Sequence, residues 1–221
     1  MITPPRHQPR ARASTSRTGH ADRTRTAPKA PRILARCAQT AIGAATVADV
    51  FRAVALRNHR LHPSDASMES GSVSRVFVNL MLLAIVLFLV WLARSRRNAE
   101  LLSPQSPVPT AAETIGAWFI PVSNLFGPRE RVLDIGRASS RSWDEKRDVT
   151  LVNLWWGAWI AHGLVFVTAM QVAPESMALL VATEALMIAA GVLLGLVVER
   201  ITTLQTDAIR ADVPAVSLPQ G

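Results

Sequence analysis

The chain has 221 residues, of which 49% are hydrophobic and only 18% are charged. Soluble domains usually contain roughly 25% charged residues. The hydrophobic residues here are concentrated in a few long runs, which excludes an ordinary soluble globular domain. A single cysteine, Cys37, excludes a disulfide framework and a multi-cysteine metal site. The formal net charge is +8, and most of it lies in the first 32 residues.

Residues 1–31 form a basic segment rich in Arg, Thr, Pro and Ser. Few of its side chains are apolar, so burial cannot offset the entropy that folding costs, and we predict a disordered tail. Because the rest of the chain is nearly neutral, its basicity does not indicate a nucleic-acid-binding surface. The tail is interpreted either as a segment attracted to anionic lipid, or as a start-site extension or topogenic tail, with a transit peptide as a minor alternative. The second interpretation is favoured, because topology alone explains the charge.

The first strongly apolar segment predicts a membrane-spanning helix at 74–93. Residues 76–93 contain no charged side chain and one amide, Asn79. A helix of this length rises by nearly the thickness of the hydrocarbon core, about 30 Å. Basic residues directly after a span are typical of its cytoplasmic flank. Those that follow this one are Arg94, Arg96 and Arg97.

Two further segments, 149–173 and 176–199, predict two more spanning helices joined by a short turn at Pro174. The first is uncharged, and the second contains one charge, Glu184, before its end. A single carboxyl does not exclude a span, because it can be neutral or paired. Indole rings favour the membrane interface. Three of them lie in the first half of 149–173: Trp155, Trp156 and Trp159.

A weaker apolar segment, 33–56, is rich in alanine and is interrupted by three charged residues, among them Asp49. It has three interpretations: a poor spanning helix, a helix on the membrane surface, or a secretory signal cleaved before Asp49. The distribution of basic residues distinguishes these interpretations, because the 94–148 loop contains nine Arg and Lys and the first 32 residues contain eight. Basic segments favour the cytoplasmic side, and only four spans place both there. We therefore predict four spans in the cell membrane, with both termini in the cytoplasm.

The 94–148 loop contains an uncharged stretch, 114–128, that is too short and too broken to span. Its aromatic side chains still have to leave water, so we expect an interfacial element against the inner faces of the helices. A plug over the bundle is favoured over a re-entrant piece that lines a cavity. Pro128 is predicted to be the first residue of a following helix, because proline lacks the N–H that would be unsatisfied there.

These segments predict an all-α protein, an integral-membrane four-helix bundle. Its helices are expected at about 33–56, 74–93, 149–173 and 176–199. The predicted organisation is a disordered tail at 1–31, a membrane domain at 32–205 and a flexible C-terminal tail at 206–221.

Four stretches carry a resemblance to a known family: 91–104, 116–140, 151–163 and 199–205. The first three contain, in order, an R-R-N-A motif, a W-F-I-P…P…R-A-S motif and a W-W-x-x-W motif. In this order and spacing the chain resembles the bacterial family of domain of unknown function 4328, small four-span membrane proteins frequent in actinobacteria. The resemblance implies a four-helix membrane protein, and it implies no activity, substrate or cofactor. The residues that carry it are Trp91, Arg94, Arg97, Asn98, Trp118, Phe119, Ile120, Pro121, Pro128, Arg137, Ala138, Ser139, Trp155, Trp156 and Trp159.

Glu184 and His162 are the first candidates for chemistry inside the membrane. Each lies ten or so residues from Pro174 on its own side of the turn, so the two reach a similar depth. They are interpreted either as a proton-titrating or solute-binding pair, or as a polar clasp that holds the bundle, with the clasp favoured. A neutral Glu184 bonded to a hydroxyl or a carbonyl is a further structural reading. The other intramembrane polar candidates are Asn79, Asn153 and Asp49, the last expected to pair with Arg52 at i+3.

Gly191 and Gly195 form a G-x-x-x-G pair that lets another backbone approach closely. A homodimer face and packing inside the same bundle are both compatible with it, and internal packing is favoured. His59 and His62 are the nearest approach to a metal pair. They lack an evident third ligand and precede Pro63, so no metal site is predicted.

The chain lacks G-x-x-x-x-G-K-[ST], G-x-G-x-x-G, H-E-x-x-H and G-x-S-x-G. We therefore expect no enzyme, cofactor or nucleic-acid partner. The favoured function is a non-enzymatic interaction, scaffold or regulatory protein that meets the lipid bilayer, membrane or cytoplasmic proteins, or a second copy of itself. The alternative is a small-solute or proton pathway at Glu184 and His162. A membrane enzyme is third.

Overall fold

The structure is a computed structural model that describes residues 29–61, 67–116, 118 and 123–212. The predictions for the basic tail up to residue 28, and for the C-terminal tail beyond residue 212, lie outside the described residues. Every regular element within the described ranges is a helix, which confirms the all-α prediction at that level.

Four long helices and two short ones make up the described fold, together with a single 3-10 turn at Ser123–Leu125. The long helices correspond in order to the four apolar segments, and the short ones lie between the second and the third. Their bounds are α1 Arg32–Leu61, α2 Ser67–Leu102, α3 Ala111–Gly116, α4 Gly127–Ser139, α5 Glu145–Val172 and α6 Met177–Ala211.

Three of the described helices, α2, α5 and α6, are long and apolar enough to cross a membrane. Their outer surfaces also require lipid: on α2, Val78, Leu82 and Val86 are at least half exposed. Such a surface is unfavourable in water and compatible with hydrocarbon. The chain thus has the character of a multi-pass membrane protein in a lipid bilayer. Helix α1 does not reach the same apolar content.

The four long helices pack side by side. Helix α1 lies along α2 and α6, and α5 and α6 form an antiparallel hairpin. The hairpin turn is closed by Ser176, whose Oγ accepts the Leu179 N–H at 3.4 Å and caps α6. At the opposite end, Asp144 caps α5 by accepting the Arg147 N–H at 2.8 Å. We call these two ends of the bundle the hairpin end (around residues 173–176) and the loop end (around α4).

The helices are longer than the sequence analysis placed them. Helix α2 continues past residue 93 to Leu102, and α6 continues past residue 199 to Ala211. Residues 206–211 are therefore helical, so the predicted flexible tail starts too early. The reason is burial: the predicted ends were set by hydrocarbon thickness, whereas Gln205 and Thr206 are buried and hydrogen-bonded.

The interior has two apolar clusters. The larger lies at the loop end, where Trp91, Trp155 and Ile201 pack with the buried face of α4. The smaller lies where α1 crosses α2, and it is built mainly from alanines such as Ala45 and Ala84. Small side chains allow two helix backbones to approach closely, which is the usual device for helix association in lipid.

Candidate functional site

A buried polar layer joins three helices at the loop end. It consists of Asn98 on α2, Ser139 on α4 and Gln205 on α6, each at most 2% exposed. The Gln205 amide Nε2 donates to Ser139 Oγ at 2.9 Å and to the Ser95 carbonyl at 2.8 Å. Asn98 Nδ2 donates to Gln205 Oε1 at 3.2 Å. Gln205 thus links α2, α4 and α6 through hydrogen bonds.

The polar layer extends to the beginning of α1 and to a second side-chain pair. Asn98 Nδ2 also donates to the Lys29 carbonyl at 3.0 Å, which fixes the chain just before α1. One turn away, Trp91 Nε1 donates to Thr202 Oγ1 at 3.1 Å, and that hydroxyl donates to the Val198 carbonyl at 2.7 Å. Low-dielectric surroundings make such satisfied networks strong and make their disruption costly.

An aromatic cluster lies directly beside the polar layer, on the side towards the hairpin end. Trp118, from the segment after α3, meets Phe88 edge to face at 5.3 Å between ring centroids. Trp155 and Trp156 of α5 pack together at 5.4 Å, and both also contact Trp118. Trp156 Nε1 donates to the Leu125 carbonyl at 3.0 Å, so the connecting segment is held on α5.

A buried ion pair locks the beginning of α5 to α6. Asp148 is 2% exposed and receives both Nε and Nη2 of Arg200, at 3.0 and 2.9 Å. The Asp144 N–H donates to its second oxygen at 2.9 Å, and Arg200 Nη2 also donates to the Ser142 carbonyl at 3.2 Å. Bidentate geometry and these extra hydrogen bonds offset the cost of removing the charges from water.

Helix α4 turns one face to the bundle and the other outward. Pro128 is buried in its first turn, one residue after the helix begins at Gly127, and Ala138 lies with Ser139 on the buried face. Burial raises the pKa of the Asp134 carboxyl above its ordinary value, although Arg131 and Arg137 oppose this effect. On the outer face of α4, Asp134 forms ion pairs with Arg131 and Arg137.

Arg137 connects α4 to α5. Its guanidinium Nε donates to Glu145 Oε1 at 3.1 Å, and this hydrogen bond raises the pKa of the Arg137 side chain. Trp143 Nε1 donates to the other oxygen of Glu145 at 2.8 Å. The short loop between the two helices is thereby closed by a shared carboxylate.

Gly136 is a residue of this site that sequence reasoning missed. The Trp143 ring packs directly on it, and a Cβ added there would meet Trp143 Cζ3 at 2.3 Å. Glycine is costly inside a helix, by about 1 kcal/mol relative to alanine. An isolated glycine two residues before Ala138 was therefore the available signal for a close contact.

The family comparison concerns this same set of residues. A family model described as "Domain of unknown function (DUF4328)" matches residues 52–203, more than half of the chain. The chain belongs to the DUF4328 family. The match includes Trp91, Asn98 and Ser139, whereas Gln205, which completes the polar layer, follows two residues after its end. A search of curated proteins and a search of solved structures both returned no match.

Some side chains of the DUF4328 motifs face the interior of the bundle, and others are exposed on its surface. Trp91, Asn98, Ala138, Ser139, Trp155 and Trp156 are buried, and Arg94, Arg97, Arg137 and Trp159 are exposed. The exposed arginines lie on the rim of the loop end, where they suit contact with water or headgroups. The motif residues Phe119, Ile120 and Pro121 lie outside the described residues.

The predicted pair of Glu184 and His162 is not formed. The two residues do share a level, because His162 Nδ1 bonds to the carbonyl of Thr183 at 3.1 Å. The imidazole stacks with Trp159 and Phe166, and no hydrogen bond joins it to Glu184, which lines a cavity next to Phe166. Depth follows from residue counting along the hairpin, but the facing of two helices depends on their rotation, which counting does not determine.

Glu184 lines a small cavity of about 100 Å³ at the hairpin end, together with Arg52, Arg57 and Phe166. Its Oε2 atom is buried and has no hydrogen-bond partner among the described residues. A carboxyl in this position is suited to exchange a proton or to meet a small polar molecule.

The other intramembrane candidates divide between local pairing and the outer surface. Asp49 is 1% exposed and accepts from Arg52 Nε at 2.8 Å, as the i+3 spacing predicts. Asn79 is exposed on α2. Asn153 is exposed on α5, where it accepts from Arg129 Nε at 2.6 Å. Asn79 and Asn153 therefore do not join an interior site.

The G-x-x-x-G pair contacts α1 of the same chain. A Cβ at Gly191 would meet Thr46 Oγ1 at 2.6 Å, and the Gly195 carbonyl accepts from Gln39 Nε2 at 2.9 Å. These contacts favour internal packing over a homodimer face. His62 lies outside the described residues, so the pair with His59 has no described geometry.

Proposed function

We propose that this DUF4328 protein is a non-enzymatic interaction or scaffold protein of the cell membrane, with α4 as its docking platform. The supporting observation is the polar layer: the buried motif residues Asn98 and Ser139 both bond to Gln205, and these bonds hold α4 on α2 and α6. Polar groups engaged in this way position a surface, whereas catalysis needs them directed at a substrate.

The outer side of the platform has the composition of a protein-binding surface. Glu130, Arg137 and Arg141 are exposed there. Beside them, Leu125 and Phe126 are 49% and 68% exposed. Aromatic and arginine side chains carry much of the binding energy at protein interfaces. A partner with an apolar anchor and mixed charges fits this surface.

A photo-crosslinking amino acid at position 126 tests the platform. We expect it to form discrete adducts with one or a few proteins in cells, because Phe126 lies at the edge of the platform. The same amino acid in place of Val172, which is 76% exposed at the hairpin end, is the matched control. Adducts with lipid alone at position 126, or the same protein adducts at both positions, would contradict the proposal.

We further propose that α1 spans as the fourth helix, so that both termini lie in the cytoplasm. Helix α1 packs along α2 and α6, and the buried charge of Asp49 is paired with Arg52. A paired charge lowers the cost of placing this weakly apolar helix in lipid. The distribution of basic residues supports the same arrangement.

Single cysteines in a Cys37→Ser background test this topology. We expect a membrane-impermeant maleimide on intact cells to label a cysteine at Asn58, and to label cysteines at Lys29 and Gln105 only after permeabilisation. The reason is that four spans place the hairpin end outside and the loop end inside. Labelling of Lys29 from outside, with Gln105 protected, would establish three spans instead.

A proton or small-solute pathway at the hairpin end is the second candidate function. It is favoured by the unpartnered Glu184 oxygen in a cavity lined by Arg52 and Arg57. His162 would contribute only through Thr183, since its ring bonds to that carbonyl. A membrane enzyme remains the third and least supported reading, because the sequence lacks the usual catalytic motifs.

Glu184→Gln distinguishes the pathway from a structural role. If the pathway operates, the variant abolishes a pH-dependent flux in proteoliposomes, because glutamine cannot exchange a proton. Glu100→Gln is the control, since Glu100 is exposed at the loop end and pairs with Arg96. An unchanged flux, combined with a lower melting temperature in detergent, would instead assign Glu184 to packing.

A further inference from the structure

A cavity of about 250 Å³ lies among the four long helices, next to the aromatic cluster. We propose that it binds a single hydrocarbon chain ending in a carbonyl group, namely the acyl chain of a lipid or a fatty acid. This ligand is independent of the docking platform proposed above. The lining that carries the inference is Met81, Ala84, Phe88, Trp118, Trp155 and Met187.

The cavity has the size and lining of a hydrocarbon site. Its wall is almost entirely apolar, and small side chains such as Ala84 and Ala190 leave the space open. An engineered apolar cavity of about 150 Å³ stays dry and binds benzene, so this larger one has room for a chain of several methylenes. The flexible thioethers of Met81 and Met187 adapt to irregular apolar shapes.

The cavity reaches the lipid-facing surface of the bundle. Ile85 and Trp159 line it and are also 45% and 37% exposed. An acyl chain can therefore enter the cavity laterally from the bilayer without passing through water. Since the surrounding medium of a membrane protein consists of acyl chains, the most abundant neighbour is also the one that fits.

One polar atom of the protein defines the orientation of the bound acyl chain. Trp118 Nε1 is buried and has no hydrogen-bond partner within the described part of the chain. A buried N–H left unpaired is destabilising, and an ester or acid carbonyl oxygen would satisfy it. Trp118 lies at the loop end of the cavity, beside Phe88, whereas Met81 lies about 10 Å deeper along α2.

This polarity matches a lipid of the leaflet at the loop end. In such a lipid the carbonyl lies near the headgroup and the methylenes run towards the bilayer centre. Trp118 would meet the carbonyl, while Met81 and Met187 would contact the chain. The carbonyl can belong to an ester or to a free acid, and the two are separated by experiment.

Photo-crosslinking of the full chain in liposomes tests the site. The probes are a fatty acid with a mid-chain diazirine and a phosphatidylglycerol that carries the same acyl chain, and adducts are mapped by mass spectrometry. We expect adducts on Met81 and Met187. Ala190→Leu fills the cavity and should lower their yield about tenfold, the scale on which apolar pockets discriminate methylenes.

Ala185→Leu is the matched control, because Ala185 faces outward on the same helix. It should leave the adducts on Met81 and Met187 unchanged. Labelling by the phospholipid alone assigns a membrane lipid, and labelling by the free acid alone assigns a fatty acid. Adducts confined to outward residues such as Leu82 and Val86, with no difference between the two alanine variants, would overturn the site.

Trp118→Phe tests whether the Trp118 N–H binds the carbonyl of the ligand. It does not fill the cavity, and it remains informative if Ala190→Leu fails to fold. The phenyl ring keeps much of the apolar contact but removes the N–H. We expect a lower adduct yield, with labelling spread over a wider range of residues because the chain loses its anchor. The same yield and the same labelled residues as in the unaltered protein would refute the assignment of a carbonyl to Trp118.

Discussion

Gln205→Leu should lower the free energy of unfolding by about 2–5 kcal/mol, because it leaves several buried polar groups without their partners. Leucine has a similar size but cannot bond to the Ser95 carbonyl or to Ser139 Oγ, and it no longer accepts from Asn98. Asn98 keeps its bond to the Lys29 carbonyl, so the loss is smaller than the sum of three bonds. The measurement is unfolding in detergent, followed by circular dichroism.

The same substitution at an exposed glutamine is the control. Gln171 is exposed near the hairpin end, so Gln171→Leu should change the stability little. Protease sensitivity gives a second measurement, because loss of the polar layer should release α4 and expose the bonds between α4 and α5 to cleavage. Equal stability of the two leucine variants, with α4 equally protected, would show that the polar layer does not hold the platform.

Asp148→Asn should destabilise the protein by about 3 kcal/mol, the lower end of the cost of breaking a buried ion pair. Asparagine keeps the shape of the side chain but leaves the Arg200 guanidinium without its counter-charge. We expect the lower end because the Arg200 side chain is 24% exposed and water can partly solvate it. The measurement is again unfolding in detergent.

Asp207→Asn is the matched change at an exposed aspartate of α6. It should leave the stability within a few tenths of a kcal/mol, as surface charges commonly do. If Asp148→Asn were no more damaging than Asp207→Asn, the pair with Arg200 would contribute no net stability, and the docking of α5 on α6 would rest on apolar contacts alone.

Gln205→Leu also tests the proposed function. The Phe126 surface is useful as a docking platform only while α4 keeps its position relative to the membrane. Gln205→Leu should therefore weaken crosslinking from position 126 although Gln205 lies far inside the bundle. Stability and partner binding would then decrease together, as expected of residues that position a surface rather than touch the partner.

The position of the helices could be predicted from the sequence because hydropathy is a local property. An uncharged run such as 76–93 must leave water whatever surrounds it, so three lipid-compatible helices and an all-helical fold followed directly. Depth was predictable as well, since residue counting placed His162 at the level of Glu184, and its ring bonds to the carbonyl of the adjacent Thr183. Pro128 was placed correctly by its own missing N–H.

Only the tertiary structure decided which side chains face one another. Helix rotation separated Glu184 from His162, left Asn79 on the outer surface and brought Gln205 to Ser139, residues 66 positions apart. The tertiary structure also decided that α6 continues beyond the apolar segment, because its C-terminal part is stabilised by buried hydrogen bonds rather than by apolar composition. The physical reason is that partition into lipid depends on each segment alone, whereas the meeting of two side chains depends on how whole helices are turned and packed.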